Sequence, residues 1–424
     1  MPREHAIAAD ARAPRPSIAI VGAGAAGLMA SIHAAGTGRE VTLFERTADG
    51  GRKILISGGG RCNVLPGTLD ETRFTTASSG NSLRMILRSW PFNEQRTFFE
   101  SDLGLPLVLE PETGKLFPAA NRARAVRDAL VAAAKTRGVD WQPDREIISI
   151  APHQGRWQLT VAGGTTSMHD AVILTTGGLS VPQTGSDGFG LRALAALGHA
   201  VHPTYPALTP ITATPPPFAD LAGVSLTVAI TARSQSERAD ATGGFLFTHR
   251  GYSGPALLDV SHVAVRSRQM GHDPAQLRVS WGALRAADWE RRLVPSGKTV
   301  AAVVREELPA RLADRLIALT GVEGSTALAH LTRGNRLALI ETLGRFALPW
   351  DGDEGYRKAE VTGGGVALDQ VDPRTLQSRL CPGLYLAGEL LDAFGPIGGY
   401  NFVWAWVTGR LAGRGAGAAL TSSS

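Results

Sequence analysis

The stretch Ser17-Ile-Ala-Ile-Val-Gly22-Ala-Gly24-Ala-Ala-Gly27, followed by Val41-Thr-Leu-Phe-Glu45, decides how this chain is read. It spells an apolar strand, a glycine-rich turn, a helix, a second strand and an acid. Gly22 permits the tight turn out of the strand, Gly24 lets backbone approach a pyrophosphate, and Gly27 lets the helix pack closely on the sheet. The helix that starts within this motif aims its free N–H groups and positive dipole end at phosphates. Glu45 closes the second strand, where a carboxylate can take the hydroxyls of an adenosine ribose. A lone GxGxxG says little, but strand, motif, helix, strand and acid in this order predict a dinucleotide-binding unit.

At 424 residues the chain exceeds what one compact core holds, so two or three domains are expected. Its 50 glycines cluster in motif-like runs, a pattern that suits backbone approaching a ligand. The net charge of +5 is spread along the chain without a Lys/Arg block or basic-aromatic interleaving, so no nucleic-acid partner is expected. Two cysteines, Cys62 and Cys381, exclude a disulfide framework and suit a reducing cytoplasm. Residues 1–16 lack an apolar run and read as a disordered leader, and no segment is long and apolar enough for a membrane span. The ten histidines show no HxxxH or HExxH spacing, so no metal is expected.

Along the chain, Gly50-Gly51-Arg52-Lys53-Ile-Leu-Ile-Ser57-Gly58-Gly59-Gly60-Arg61-Cys62-Asn63 forms a glycine- and cation-rich loop. Two short helices split by Pro91 follow, then a hairpin turning at Thr113-Gly114 and an amphipathic helix from Ala123 to Arg137. Ala171–Thr175 is a buried strand running into Thr176-Gly177-Gly178. Composition shifts near His199, turns helical over 287–347, and becomes glycine-rich again at Val361–Gly365. The expected organisation is a nucleotide domain in two parts, 17–199 and 355–415, interrupted by a β-rich region (200–285) and a helical one (286–354).

The ending favours a flavin over a nicotinamide. Leu384-Tyr-Leu-Ala-Gly388-Glu389 reads as a strand with a polar end, followed by Gly398-Gly399-Tyr400-Asn401-Phe402 and a helix. Such an acid can hold a ribityl chain, and a helix N-terminus can stabilise negative charge on a reduced ring. The runs Gly51–Asn63, Phe247-Thr-His-Arg-Gly-Tyr-Ser-Gly-Pro255, Val361–Val366 and Ala387–Asp392 through Phe402 resemble a bacterial FAD-dependent family. That family is described as BaiN-like NAD(P)/FAD-dependent oxidoreductases or aminoacetone-oxidase-like flavoproteins. The resemblance extends from about Ser17 to Gly413. It implies an α/β fold with a Rossmann-like FAD-binding domain of the two-dinucleotide-binding flavoprotein type, interrupted by an inserted β-barrel-like segment and a small helical domain.

The expected FAD-contacting residues are Gly22, Gly24, Ala25, Ala26, Gly27, Glu45 and Arg46; Gly51, Arg52, Lys53, Ser57, Gly58, Gly59, Arg61, Cys62 and Asn63; Ile147, Thr176, Gly177 and Gly178; and Gly388, Glu389, Gly398, Gly399, Tyr400, Asn401 and Phe402. Cys62 reads as a buried structural thiol beside the cofactor, because disulfide reductases need two nearby cysteines. Glu360 is either a site carboxylate or a partner of Arg357. His249 and Tyr252 are the candidate proton donors to a substrate. Three functions stay open. In one, NAD(P)H docks transiently, reduces FAD, and flavin N5 passes hydride to a small organic acceptor such as an activated double bond. In another, an oxidase of a small amine or amino-ketone makes peroxide. The third is a flavin-binding protein acting as a redox sensor or nucleic-acid partner. Neither substrate nor oligomeric state is legible.

Overall fold

The computed structural model describes residues 16–419. The expected leader, 1–16, lies outside them except for Pro16, whose carbonyl accepts a bond from the Glu40 N–H. The elements that build the site are, in chain order, β1 (Ser17–Val21), α1 (Ala25–Ala35), β2 (Glu40–Phe44), β3 (Asp140–Gln142), β4 (Ala171–Leu174), α2 (Pro255–Gln269), β5 (Leu384–Leu386) and α3 (Tyr400–Ala419).

The five strands form a parallel sheet in the order β5-β4-β1-β2-β3. Ile18, Ala19, Ile20 and all four residues of β4 are buried, the near-continuous apolar pattern of strands covered on both faces. The chain order reverses at β1, between β4 and β2, and open α/β sheets bind ligands beside the C-terminal strand ends at such a point. α3 lies along α1 with almost no side-chain spacer. A Cβ on Gly409 would meet the Ala26 carbonyl oxygen at 2.4 Å, and one on Gly413 that of Ala30 at 2.4 Å. This seam of small residues sets the middle of α3 against the start of α1, so the N-terminal turns of α3 run on past the first glycine turn.

The segment between β4 and β5 builds a second core. Its seven-stranded sheet runs 346–347, 276–281, 225–233, 238–248, 251–253, 211–212 and 352–353. The two edge strands are consecutive in sequence, joined only by Leu348–Asp351. The sheet therefore curls until its edges lie one short link apart. α2 covers one face, and Phe245, Phe247, Tyr252 and Trp281 pack as an aromatic cluster. Helices Ala286–Arg292, Val300–Arg305, Ala310–Leu319 and Arg333–Gly344 share this core, so the helical stretch ends in strands of the β region. An antiparallel ribbon, Val201–Ala207 with Val361–Val366, links the two cores. Among the described residues no helix is long and apolar enough to cross a membrane.

Candidate functional site

A long cleft runs along the C-terminal ends of β1, β2, β4 and β5, about 1960 Å3 counted out to its open mouth. At one end β1 turns through Gly22, whose φ of +101° belongs to glycine. A Cβ there would also sit 2.8 Å from the Thr175 carbonyl oxygen. Gly24 opens on the cleft, with nothing within 4 Å of a Cβ position. Ala25 and Ala26 line the cleft, and their N–H groups, the orphan donors of a helix start, have no backbone acceptor among the described residues. Glu45 is buried and held by the Ala23 N–H (2.8 Å), the Thr47 N–H (2.8 Å) and the Thr47 hydroxyl (2.7 Å). A carboxylate has about four acceptor positions, so capacity remains for a ribose hydroxyl.

Midway, Lys53 reaches across from the Gly51–Asn63 segment. Its Nζ donates to Glu389 Oε2 at 2.7 Å and to the Ser180 hydroxyl at 2.7 Å. Ser180 in turn donates to Glu389 Oε1 (2.6 Å), as does the Thr362 N–H (2.9 Å). Burial alone pushes the Glu389 carboxyl up; the Lys53 charge and these donors outweigh it and hold the group ionised below its usual range. At the far end, Gly398 and Gly399 lead into α3, and Lys115, Phe394 and Ile397 face the same space. The cleft thus offers orphan helix donors beside a glycine turn, an acid at the second strand and a second helix start across from it. These features fit an extended dinucleotide with a ring system, the form that FAD has.

Most of the expected contacts meet on this surface: Gly22, Gly24, Ala25, Ala26, Glu45, Arg46, Gly51, Arg52, Lys53, Ser57, Gly58, Gly59, Asn63, Ile147, Thr176, Gly177, Gly388, Glu389, Gly398, Gly399, Asn401 and Phe402. Five do not. Gly27 lies beneath it, and a Cβ there would fall 1.8 Å from the Gly22 carbonyl oxygen. Gly178 packs on Thr362. Arg61 turns away to pair with Glu110 (2.8 Å) over the Phe117 ring. Cys62 is fully buried, its thiol pushed up to about 12 by burial. Tyr400 packs on Phe74 instead of facing the ring end. Even within the cleft, the Asn401 amide is occupied by the backbone of Gly395.

Both expected proton donors lie elsewhere. His249 is exposed at the turn between strands 238–248 and 251–253. Tyr252 is fully buried in the aromatic cluster, and its hydroxyl has no partner among the described residues. Burial pushes its phenol well above the ordinary range. Neither lines the cleft. Sequence reasoning missed Ser180, Lys115, Arg145 and Phe394, none of which sits in a telling local pattern. Glu360 was ambiguous; it lines the cleft, and burial raises its carboxyl while Lys53 opposes this.

Comparison with known proteins agrees with this geometry. Residues 16–415 match the family described as HI0933-like protein Rossmann domain. A ribosomal RNA dihydrouridine synthase of Escherichia coli is 34% identical, covering 91% of this chain and 94% of that protein. A 3-dehydro-bile acid delta(4,6)-reductase of Clostridium scindens is 30% identical, covering 94% and 98%. Among solved structures, a 3-ketosteroid delta1-dehydrogenase of Sterolibacterium denitrificans overlays with a TM-score of 0.50 at 13% identity, over 95% and 99% of the two chains, a likeness of fold. The chain belongs to the HI0933-like family, and with its FAD-binding Rossmann domain it is a flavin-dependent oxidoreductase.

Proposed function

We propose that the protein reduces a ring carbon–carbon double bond conjugated to a carbonyl, with NAD(P)H as electron source and a uracil base of RNA as acceptor. The observation that carries this reading is that two differently named relatives, each aligned over more than nine-tenths of both chains, share one kind of chemistry. A dihydrouridine is a uridine whose ring double bond, conjugated to a carbonyl, has gained two hydrogens. A delta(4,6)-reductase acting on a 3-dehydro bile acid likewise saturates ring double bonds conjugated with a ketone. FAD supplies the two-electron chemistry, taking up a hydride and passing it on.

RNA departs from the expectation of a small-molecule acceptor with no nucleic acid. It is favoured because the Escherichia coli relative and a ribosomal RNA dihydrouridine synthase of Haemophilus influenzae, 31% identical over 91% of this chain, both carry that name. A small cyclic enone is the second reading, supported by the Clostridium scindens relative. What the chain itself contributes is a cleft long enough for one dinucleotide, with Ile397 and Phe394 in its lining beside the start of α3.

The test follows the flavin absorbance anaerobically as NADH or NADPH is added, then offers unmodified ribosomal RNA or a steroid enone. Bleaching by one nucleotide and reoxidation by RNA, with dihydrouridine found by mass spectrometry, is the expected result. Reoxidation by the enone alone selects the second reading. No bleaching by either nucleotide overturns both and favours an oxidase.

A further inference from the structure

A second hollow opens on the opposite side of the cleft wall from FAD, about 1010 Å3 counted to its open mouth. It lies between the segment Glu71–Arg84 of the FAD domain and the inserted region, which supplies the hairpin tip Ser236–Arg238 and His262 of α2. Phe394 lines the FAD cleft, its backbone exchanges hydrogen bonds with Thr75 (2.8 and 3.0 Å), and its ring lies 5.5 Å from that of His262.

The charges around this hollow are unevenly committed. Glu71 is paired with Arg88 at 2.8 Å, and Glu237 is paired with Arg266. Arg238 is shared with Asp240. Arg84 has no carboxylate partner among the described residues; it donates only to Asn81 and folds back to within 3.6 Å of a Cβ position on Gly80, at the start of helix Gly80–Arg88. His262 is 8% exposed. Its Nδ1 is buried and has no hydrogen-bond partner among the described residues. Burial and the Arg266 charge push its imidazolium down to about 4, so the ring is neutral at physiological pH and offers one donor and one acceptor. Phe74 and Leu83 are the large apolar side chains of a lining otherwise built of Gly80, the neutral His262, hydroxyls and charged groups, which suits a polar anion and not a steroid.

We propose that this hollow is a phosphate-binding subsite for a backbone phosphodiester of the acceptor RNA, with Arg84 and His262 as its polar contacts. The inference rests on the reading of RNA as the acceptor. A guanidinium without a carboxylate partner, folded back towards a helix start, is a natural phosphate contact, and phosphate contacts fix the register of a strand so that one base is presented to the adjoining site.

The test measures binding, apart from turnover, so a failed reductase assay leaves it intact. Fluorescence anisotropy of a labelled single-stranded RNA is followed with FAD-loaded protein over a range of salt. Arg84→Ala is expected to weaken binding about tenfold and to lower the salt slope by about one counterion. Arg84→Gln is expected to do nearly the same while keeping a polar side chain at the position. Arg291→Ala, on an exposed helix of the inserted region, serves as the charge control. Equal binding by wild type and both Arg84 variants overturns the subsite. So does equal weakening by Arg84→Ala and Arg291→Ala, which would mark a diffuse charge effect. No RNA binding by wild type, with inorganic phosphate bound in an Arg84-dependent way, overturns the phosphodiester assignment in favour of free phosphate.

Discussion

Lys53→Met probes the centre of the cleft. The Lys53–Glu389 pair has 30% and 16% of its side chains exposed. Removing one partner of a fully buried pair costs about 3–5 kcal/mol, mostly from the charge left behind. With this partial exposure the expected loss is about 2–3 kcal/mol, measured by urea unfolding at saturating FAD. Glu389→Gln keeps acceptors for Ser180 and Thr362 and should cost less, about 1–2 kcal/mol. The double variant should be more stable than the sum of the two losses predicts, by at least about 1 kcal/mol. The pH dependence supplies an independent sign. In the native protein Glu389 has a depressed pKa, so its stabilisation is present above the unfolded value and lost as pH falls through the folded one. Without Lys53, burial raises the pKa, and that stabilisation is instead lost as pH rises from the unfolded value. Additive losses within about 0.5 kcal/mol, or an unchanged pH slope, would refute the coupling.

Gly27→Ala places a Cβ 1.8 Å from the Gly22 carbonyl oxygen. It is expected to cost about 3 kcal/mol or more and to give protein without flavin absorbance. Glu45→Ala should raise the Kd for FAD about tenfold or more while leaving that for FMN, which lacks the adenosine, within about threefold by fluorescence titration. Tyr252→Phe, relieved of a buried hydroxyl without a partner, should be neutral or more stable by about 1 kcal/mol. It and His249→Ala should keep kcat/KM within about threefold; a larger loss would restore their catalytic role. Asp259 accepts from the Ile397 N–H at 2.7 Å, and burial pushes its carboxyl up to about 6. A raised carboxyl lends stability below its unfolded pKa that is lost as pH rises through about 6. Asp259→Asn should therefore gain about 3 kcal/mol at pH 8 and almost nothing at pH 4, read from urea midpoints.

Local chemistry made the opening unit readable. Its strand, turn, helix and acid are fixed by neighbours within one β-α-β unit, and there period and glycine spacing carry the geometry. The insertion was visible as a change in composition, but its closure was not. The strands at 346–347 and 352–353 are two residues each, too short for any alternation to show, and they join opposite edges of one sheet. Tyr252 shows the opposite failure. Its hydroxyl suggested chemistry, yet its place on the inner face of a strand beside Phe245 and Phe247 makes it core.

Within the site, what could not be read was direction. The Gly51–Asn63 run announces a ligand, but the chain reverses through left-handed Gly58 and Gly59, sending Asn63 to the cleft, Arg61 to Glu110 and Cys62 into the core. No spacing rule predicts which side each takes, because the reversal is set by two glycines free to adopt either hand. The Lys53–Ser180–Glu389 network lies further still from local reading. Its members come from three separate segments, and 336 residues of chain separate Lys53 from Glu389. Only the parallel sheet brings them together, since β4 and β5 are neighbours whose ends deliver Ser180 and Glu389 to the same point. The charge that holds Glu389 ionised is thus a property of the topology. The same holds for the second hollow, whose walls come from both cores and whose partition is the Thr75–Phe394 contact. A base presented at the cleft and a phosphate held at Arg84 would both depend on that one contact staying closed.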